Sequence, residues 1–333
     1  MTGLPLALTM GDPAGVGGEI TLKAWTKRHA GEGVSTFFAL DNADRLSNLA
    51  ARLDLDVSIQ TITDPAQAAD VFATALPVLN QDLGTEPTPG LPNTMNAQAT
   101  IGAIETAVHL TQTRQAAGVV TNPISKDVLY GAGFQFPGHT EFLAHLAGPD
   151  IKPVMMLACE RLRVVLATVH VSILEAAQSL NTDTICEVAR ITHAALKRDF
   201  AITDPTIAVA GLNPHAGEGG AMGREEIDII QPAIERLQAE GINADGPMPP
   251  DTMFTAKALP TYDAALCMYH DQGLIPLKTL DFERGVNATL GLPFVRTSPD
   301  HGTAFDIAGT GKASELSLMA ALSMAASMAE ARG

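Results

Sequence analysis

Three strand-like apolar runs of this 333-residue chain each close on a histidine: VVLATV before His170, TIAVAGLNP before His215 and AALCMY before His270. The separations of 45 and 55 residues match successive β-α units. In open α/β sheets ligands gather beyond the carboxyl ends of the strands, so three imidazoles at such ends can converge on one point. Imidazole suits zinc and similar divalent ions, and three protein ligands with an open position describe a catalytic rather than a structural centre. Taken singly, each of these histidines reads as a hydrogen-bonded loop residue; the equivalence of the three positions carries the metal reading. A bound ion of this kind polarises oxygens and acidifies a hydroxyl, which serves hydrolysis or alcohol oxidation, and spacing does not choose between them. Asp251 and Asp271 offer carboxylates for a fourth contact or for orienting an imidazole.

Other segments offer anion and nucleotide contacts. Pro137-Gly138-His139-Thr140-Glu141 reads as a turn into a helix, with Thr140 placed to cap it and free N–H groups available to a phosphate or carboxylate. Lys278, Arg284 and Arg296 are among few bases in the C-terminal third. The segment from Asp300 to Ala313 sets small turn residues around a histidine and an acid: its backbone, at Gly302 for instance, can approach a nucleotide, His301 can stack on a base and Asp306 can accept from ribose or adenine. An ordinary surface loop is the plainer reading. The turn Gly11-Asp12-Pro13-Ala14-Gly15-Val16-Gly17-Gly18 carries no Walker lysine and is not GxGxxG, and neither GxSxG nor HExxH occurs.

The elements that must hold these residues alternate. Strands are expected at 4–9, 34–40, 57–60, 118–121, 153–158, 163–169, 206–211 and 263–269, with two short extended runs near 286–297. Helices are expected from 20, at 42–52, 95–117, 182–198, 224–240 and 271–280, and from 314 onward. That order implies an α/β fold around a mainly parallel sheet with covered faces. The Pro/Gly-rich stretch 80–93 suits a surface excursion or a crossing between lobes. The length favours two lobes. Thirty-seven acids against 21 bases, net −16, with no basic run, argue against nucleic acid or anionic lipid as a partner. Three widely spaced cysteines form no disulfide framework and fit a reducing cytoplasm; no targeting or membrane-spanning segment is evident.

The motifs Leu8-Thr9-Met10-Gly11-Asp12-Pro13-Ala14-Gly15-Val16-Gly17, Thr121-Asn122-Pro123-Ile124-Ser125-Lys126, Phe136-Pro137-Gly138-His139-Thr140-Glu141, Leu212-Asn213-Pro214-His215-Ala216-Gly217-Glu218, Tyr269-His270-Asp271-Gln272-Gly273 and the 300–313 loop span nearly the whole chain. Together they resemble the PdxA family of pyridoxal-phosphate biosynthesis, the 4-hydroxythreonine-4-phosphate dehydrogenases. The loop also resembles the adenine-binding loop of isocitrate and isopropylmalate dehydrogenases. This implies their two-lobe, non-Rossmann α/β/α sandwich, an active site in the cleft, and NAD(P) as cofactor. The expected division is 1–122 plus 288–333 for a discontinuous first lobe and 123–287 for a second lobe with the dimer contact.

Carried over by position, the resemblance places the divalent metal (Zn, Mg or Co) on His170, His215 and His270. Substrate contacts fall on His139, Thr140, Lys278, Asn287 and Arg296, and nucleotide contacts on His301, Gly302 and Asp306. Lys278 and His215 are the catalytic candidates, Lys278 for phosphate binding or proton transfer. The family's chemistry is oxidation of 4-phosphooxy-L-threonine at C3 followed by decarboxylation to 3-amino-2-oxopropyl phosphate, in a cytoplasmic homodimer whose subunits share the active site. Relatives that oxidise 4-phosphothreonate or 4-phosphoerythronate, or a terephthalate cis-dihydrodiol, carry the same motifs. One departure stands out: Gly18 occupies a position where the family pattern usually has proline, at some cost in local rigidity.

Overall fold

The computed structural model describes residues 3–28 and 34–333. Its strands, in chain order, are β1 (Leu6–Thr9), β2 (Phe37–Asp41), β3 (Ile59–Ile62), β4 (Leu76–Asn80), β5 (Val119–Thr121), β6 (Val154–Cys159), β7 (Leu162–Leu166), β8 (Thr206–Ala210), β9 (Asn243–Met248), β10 (Ala264–Cys267), β11 (Val286–Leu290) and β12 (Arg296–Pro299). The chain divides into two compact units. One holds the described residues up to Pro153 together with Leu292–Ala331, the other Val154–Gly291.

In the first unit the strands run in the order β3-β4-β2-β1-β5-β12, every adjacent pair parallel. β1 and β2 are buried at every position, as a sheet covered on both faces requires. β4 was not expected. Its sequence LPVLN carries Pro77, which removes a ladder N–H and argues against a strand, yet β4 lies between β3 and β2.

The division of the chain departs from the expected boundaries. Residues 123–153 belong to the first unit, so the chain leaves it after Pro153 rather than after 122, and returns at Leu292 rather than 288. Helix His139–Ala147 explains the difference: its Phe142 and Leu143 are buried in one cluster with Phe38, Ile104, Val119, Leu292 and Phe294. The proline-rich stretch likewise stays within this unit, where Gly90 N–H donates to Ala14 C=O at 2.8 Å.

Gly18 lies in the first turn of helix Gly17–Thr26. A Cβ there would stand 2.9 Å from both Arg45 Nη1 and Leu49 Cδ2. The space that a larger residue would take is filled by the buried Arg45 guanidinium and by Leu49.

The second unit has the order β11-β6-β7-β10-β8-β9 and is mixed. β6 and β7 form an antiparallel hairpin across Glu160 and Arg161, β11 is antiparallel to β6, and the pairs β7–β10, β10–β8 and β8–β9 are parallel. Helix His270–Leu280 lies directly on β7: a Cβ on Gly273 would come within 2.2 Å of Val164 Cγ1. Only glycine permits that approach, and it sets where His270 begins the helix. Among the described residues no helix is long and apolar enough to cross a membrane.

Candidate functional site

In the second unit the three histidine-bearing strands are consecutive and parallel, in the order β7-β10-β8. Their carboxyl ends therefore share one edge, and His170, His270 and His215 follow those ends by a few residues each. The strand-end loops are laced together. Ala167 N–H donates to Cys267 C=O at 2.8 Å, and Thr168 Oγ1 donates to Met268 C=O at 2.7 Å. Gln272 links the other two: Met268 N–H donates to its Oε1 at 2.7 Å, and its Nε2 donates to Gly211 C=O at 2.6 Å.

His170 and His270 have ring centres 5.9 Å apart and line a cavity of about 280 Å³ with Val169, Val171, Ile173, Tyr269 and Asp271. Two imidazoles bound tetrahedrally to one ion at about 2.0–2.1 Å per nitrogen would hold their ring centres about 5.2 Å apart. The observed pair is wider than that by less than about 1 Å. His215 sits in the segment Pro214–Gly220, where His215, Ala216 and Glu218 all adopt left-handed backbone (φ 53°, 50° and 44°). Such conformations are costly for non-glycine residues and persist only where the surroundings impose them. The residues just before this segment are held by the buried Glu226, which accepts from Leu212 N–H (2.8 Å), Asn213 N–H (2.7 Å) and Asn213 Nδ2 (3.0 Å).

His270 Nδ1 is 2.8 Å from Asp271 Oδ1, and His215 Nδ1 is 3.1 Å from Glu218 Oε2. With Nδ1 protonated, each ring donates Nδ1–H to its carboxylate and keeps the Nε2 lone pair free, the arrangement of carboxylate-oriented metal ligands. This donor set fits a divalent ion. The structure brings His170 and His270 together, while among the described residues no three metal-ligating side chains are drawn into one cluster. Asp251, in the short helix Pro250–Met253, is exposed. Gln272 is not marked by the sequence as a site residue, because its bond to Gly211 joins strand ends adjacent only in space; Glu218 and Glu226 act within their own segment, on His215 and on Leu212 and Asn213.

The first unit carries the anion-binding candidates. Helix His139–Ala147 is capped by Gly138, so Thr140 is not the cap but lies within the first turn. His139 Nε2 is buried and has no hydrogen-bond partner. Burial, with Arg296 and Lys126 nearby, holds the His139 imidazole well below its ordinary 6.5. Lys126 Nζ stands 3.7 Å from where a Cβ on Gly138 would be, at the head of the same helix, a proximity that its place in the 121–126 motif does not signal. Arg296 is 3% exposed and donates from Nη2 to Thr121 Oγ1 at 2.7 Å. Burial lowers its pKa to about 10, which leaves it a cation at neutral pH. Thr9 Oγ1, ending β1, and Asn122 Oδ1, just past β5, are also buried and unsatisfied. Unsatisfied buried polar atoms at strand ends suit a polar ligand.

Because His139 has a depressed folded-state pKa, its contribution to stability is complete above the ordinary value of 6.5 and is lost as pH falls below it. The urea midpoint of the protein should fall between about pH 6.5 and about pH 5, and His139→Gln should remove part of that fall. An identical pH profile in the variant would show that His139 is not the group responsible.

Of the remaining candidates, Lys278 and Asn287 belong to the second unit. Lys278 Nζ lies 5.6 Å from the Phe282 ring centre, and Asn287 pairs with Leu157 in the β11–β6 ladder. In the 300–313 loop His301, Gly302 and Asp306 are exposed, with His301 Nδ1 3.0 Å from Gly302 C=O.

One unit is a parallel α/β unit with buried cations and unsatisfied polar atoms, the other sets imidazoles at three adjacent strand ends, and the class they define is an α/β enzyme. The family described as pyridoxal phosphate biosynthetic protein PdxA matches residues 34–325, and the chain belongs to that family. A protein of Caulobacter vibrioides named 4-hydroxythreonine-4-phosphate dehydrogenase is 51% identical over 338 residues, covering 100% of both chains. The crystal structure of a 4-hydroxythreonine-4-phosphate dehydrogenase from Klebsiella pneumoniae matches with a TM-score of 0.87 at 37% identity, over 98% of this chain and 99% of that one. A terephthalate 1,2-cis-dihydrodiol dehydrogenase from Burkholderia xenovorans LB400 matches with a TM-score of 0.64 at 28% identity, over 95% and 96%.

Proposed function

We propose that this protein is a metal-dependent, NAD(P)-linked 4-hydroxythreonine-4-phosphate dehydrogenase. In this reading it oxidises 4-phosphooxy-L-threonine at C3, and the resulting β-keto acid loses CO2 to give 3-amino-2-oxopropyl phosphate. The observation that carries the reading is the delivery of His170, His270 and His215 from three adjacent parallel strands, two of them with Nδ1 engaged by a carboxylate. Family membership and the higher similarity to proteins of that name than to the dihydrodiol dehydrogenase favour the phosphorylated amino acid over a cis-dihydrodiol.

A divalent ion (Zn, Mg or Co) would supply acidification of the C3 hydroxyl and polarisation of the ketone, and NAD(P)+ would supply the hydride acceptor. His170, His215 and His270 would hold the ion, with Asp271 and Glu218 orienting two of them. His139, the Thr140 N–H and Arg296 bind the substrate's anionic groups. Neutral His139 serves as a hydrogen-bond partner while Arg296 supplies the charge. Lys278 binds phosphate or moves the proton at the reacting hydroxyl, and Asn287 contacts substrate. His301, Gly302 and Asp306 receive the nucleotide. We further infer a homodimer that shares its active sites between subunits, and a cytoplasmic location, which the three buried free cysteines suit.

The test is NAD(P)H absorbance on mixing metal-loaded protein with 4-phosphooxy-L-threonine and either NAD+ or NADP+, alongside a chelated sample. Reduction that chelation abolishes is expected. Absence of reduction with this substrate, but reduction with 4-phosphothreonate or a terephthalate dihydrodiol, would overturn the substrate assignment.

A further inference from the structure

Helix Gly17–Thr26 buries a carboxylate whose bonds reach beyond the helix to a distant loop. Glu19 is fully buried. Its Oε2 accepts Gly309 N–H at 3.1 Å, and its Oε1 accepts both Ala313 N–H at 2.9 Å and Lys23 Nζ at 3.0 Å. Lys23 in turn donates to Gly311 C=O at 2.8 Å and Ala313 C=O at 2.5 Å. One i,i+4 pair thus grips four backbone groups of the 300–313 loop, about 290 residues away in sequence. Val16 N–H adds a bond to Thr303 C=O at 3.0 Å, and Arg52 Nε one to Gly309 C=O at 3.2 Å. The gripped ends, Gly309 and Ala313, are buried, while His301, Gly302 and Asp306 are exposed.

We propose that Glu19 and Lys23 are positioning residues that fix the backbone of this loop in the shape that takes an adenine nucleotide. The inference rests on the reading of the loop as the NAD(P) contact. Surface packing would not need a buried charge: burying a carboxylate is costly, and it is tolerated only where hydrogen bonds and a cation compensate it. What the arrangement provides is rigidity at four backbone groups, so that the loop need not be ordered when a ligand binds. It also gives a role to the glycine-rich turn 11–18, which fits no phosphate-binding motif: the turn opens the helix that carries the pair.

Glu19→Gln keeps the size but sets an NH2 against one of the two loop N–H donors. Affinity for NAD+ or NADP+, read by titration calorimetry, should fall roughly tenfold or more, as expected for lost charge-assisted bonds. KM for the nucleotide should rise in step, while KM for the phosphorylated substrate stays within about twofold, a split that general destabilisation would not produce. Amide exchange at Gly309 and Ala313 should quicken. Lys23→Met, at a partly exposed side chain, should show the same split more weakly and serves if Glu19→Gln does not fold. Unchanged exchange and unchanged affinity would overturn the anchoring role and leave the cofactor reading intact. Faster exchange with unchanged affinity, or no nucleotide binding by the wild-type protein, would overturn the loop as the nucleotide's seat, and the proposal with it.

Discussion

His270→Ala is expected to lower metal-dependent NAD(P)H formation by about 10³-fold, equivalent to about 4 kcal/mol of transition-state stabilisation, within the several kcal/mol that a Lewis-acid ion supplies. His270 starts a helix pressed onto β7 at Gly273, is steered by Asp271, and lies beside His170 in one cavity. Its ring is partly exposed, so truncation leaves the hydrophobic core of the unit, built on Leu157, Val164, Ala265 and Leu277, untouched. The loss should therefore appear in activity and metal content, not in the urea midpoint. Residues acting as one unit are strongly non-additive. His170→Ala combined with His270→Ala should thus be little worse than either alone. Asp271→Asn, which alters only the orienting partner, should cost about 10–100-fold in metal affinity. Full metal content and full turnover in His270→Ala would remove the metal centre from these strands.

The largest expected effect on stability is at Asp41. This residue ends β2 and is 1% exposed; Arg45, one helical turn on, is 4% exposed. Arg45 Nε donates to Asp41 Oδ1 at 2.9 Å and Nη2 to Oδ2 at 2.7 Å, a two-pronged pair, while Nη1 donates to Pro13 C=O at 3.0 Å. Removing one partner of a buried pair leaves an uncompensated charge and typically costs about 3–5 kcal/mol. Asp41→Ala should lower the unfolding free energy by about that amount, read as a shift of the urea midpoint at neutral pH. Adding Arg45→Leu should return much of the loss, since the penalty lies in the stranded guanidinium rather than in the missing attraction. A midpoint unchanged by Asp41→Ala would mean that water reaches Arg45 and that the pair is not sealed. The same guanidinium fills the space beside Gly18, so Gly18 and the buried pair form one packing arrangement.

Much of this was legible in the chain. β1, β2, β5, β8 and β10 are short apolar runs closed by turn residues, and each lies where such a run predicts a strand. Two strands were not legible. β4 contains Pro77, and β9 reads NADGPM, with a glycine and a proline and little apolar surface; each is specified by the strand it pairs with rather than by its own composition. The antiparallel β6–β7 hairpin and β11 escaped the expectation of a mainly parallel sheet because periodicity reports which faces are buried and says nothing of direction.

The sequence by itself determined the α/β class, the histidines that close three strand-like runs, the small-residue loop at 300–313 and the motifs of the family, because each is a local property of residue type and spacing. Tertiary structure alone decided that β7, β10 and β8 are neighbours, which is what gives the three histidines a common edge. It decided that residues 123–153 join the first unit, through burial of Phe142 and Leu143 against side chains from both ends of the chain. It also decided that Glu19 holds Gly309 and Ala313. The physical reason is the same in each case: strand pairing, core burial and buried hydrogen bonds join groups far apart in the chain, and their free energy depends on a neighbour that no local window contains.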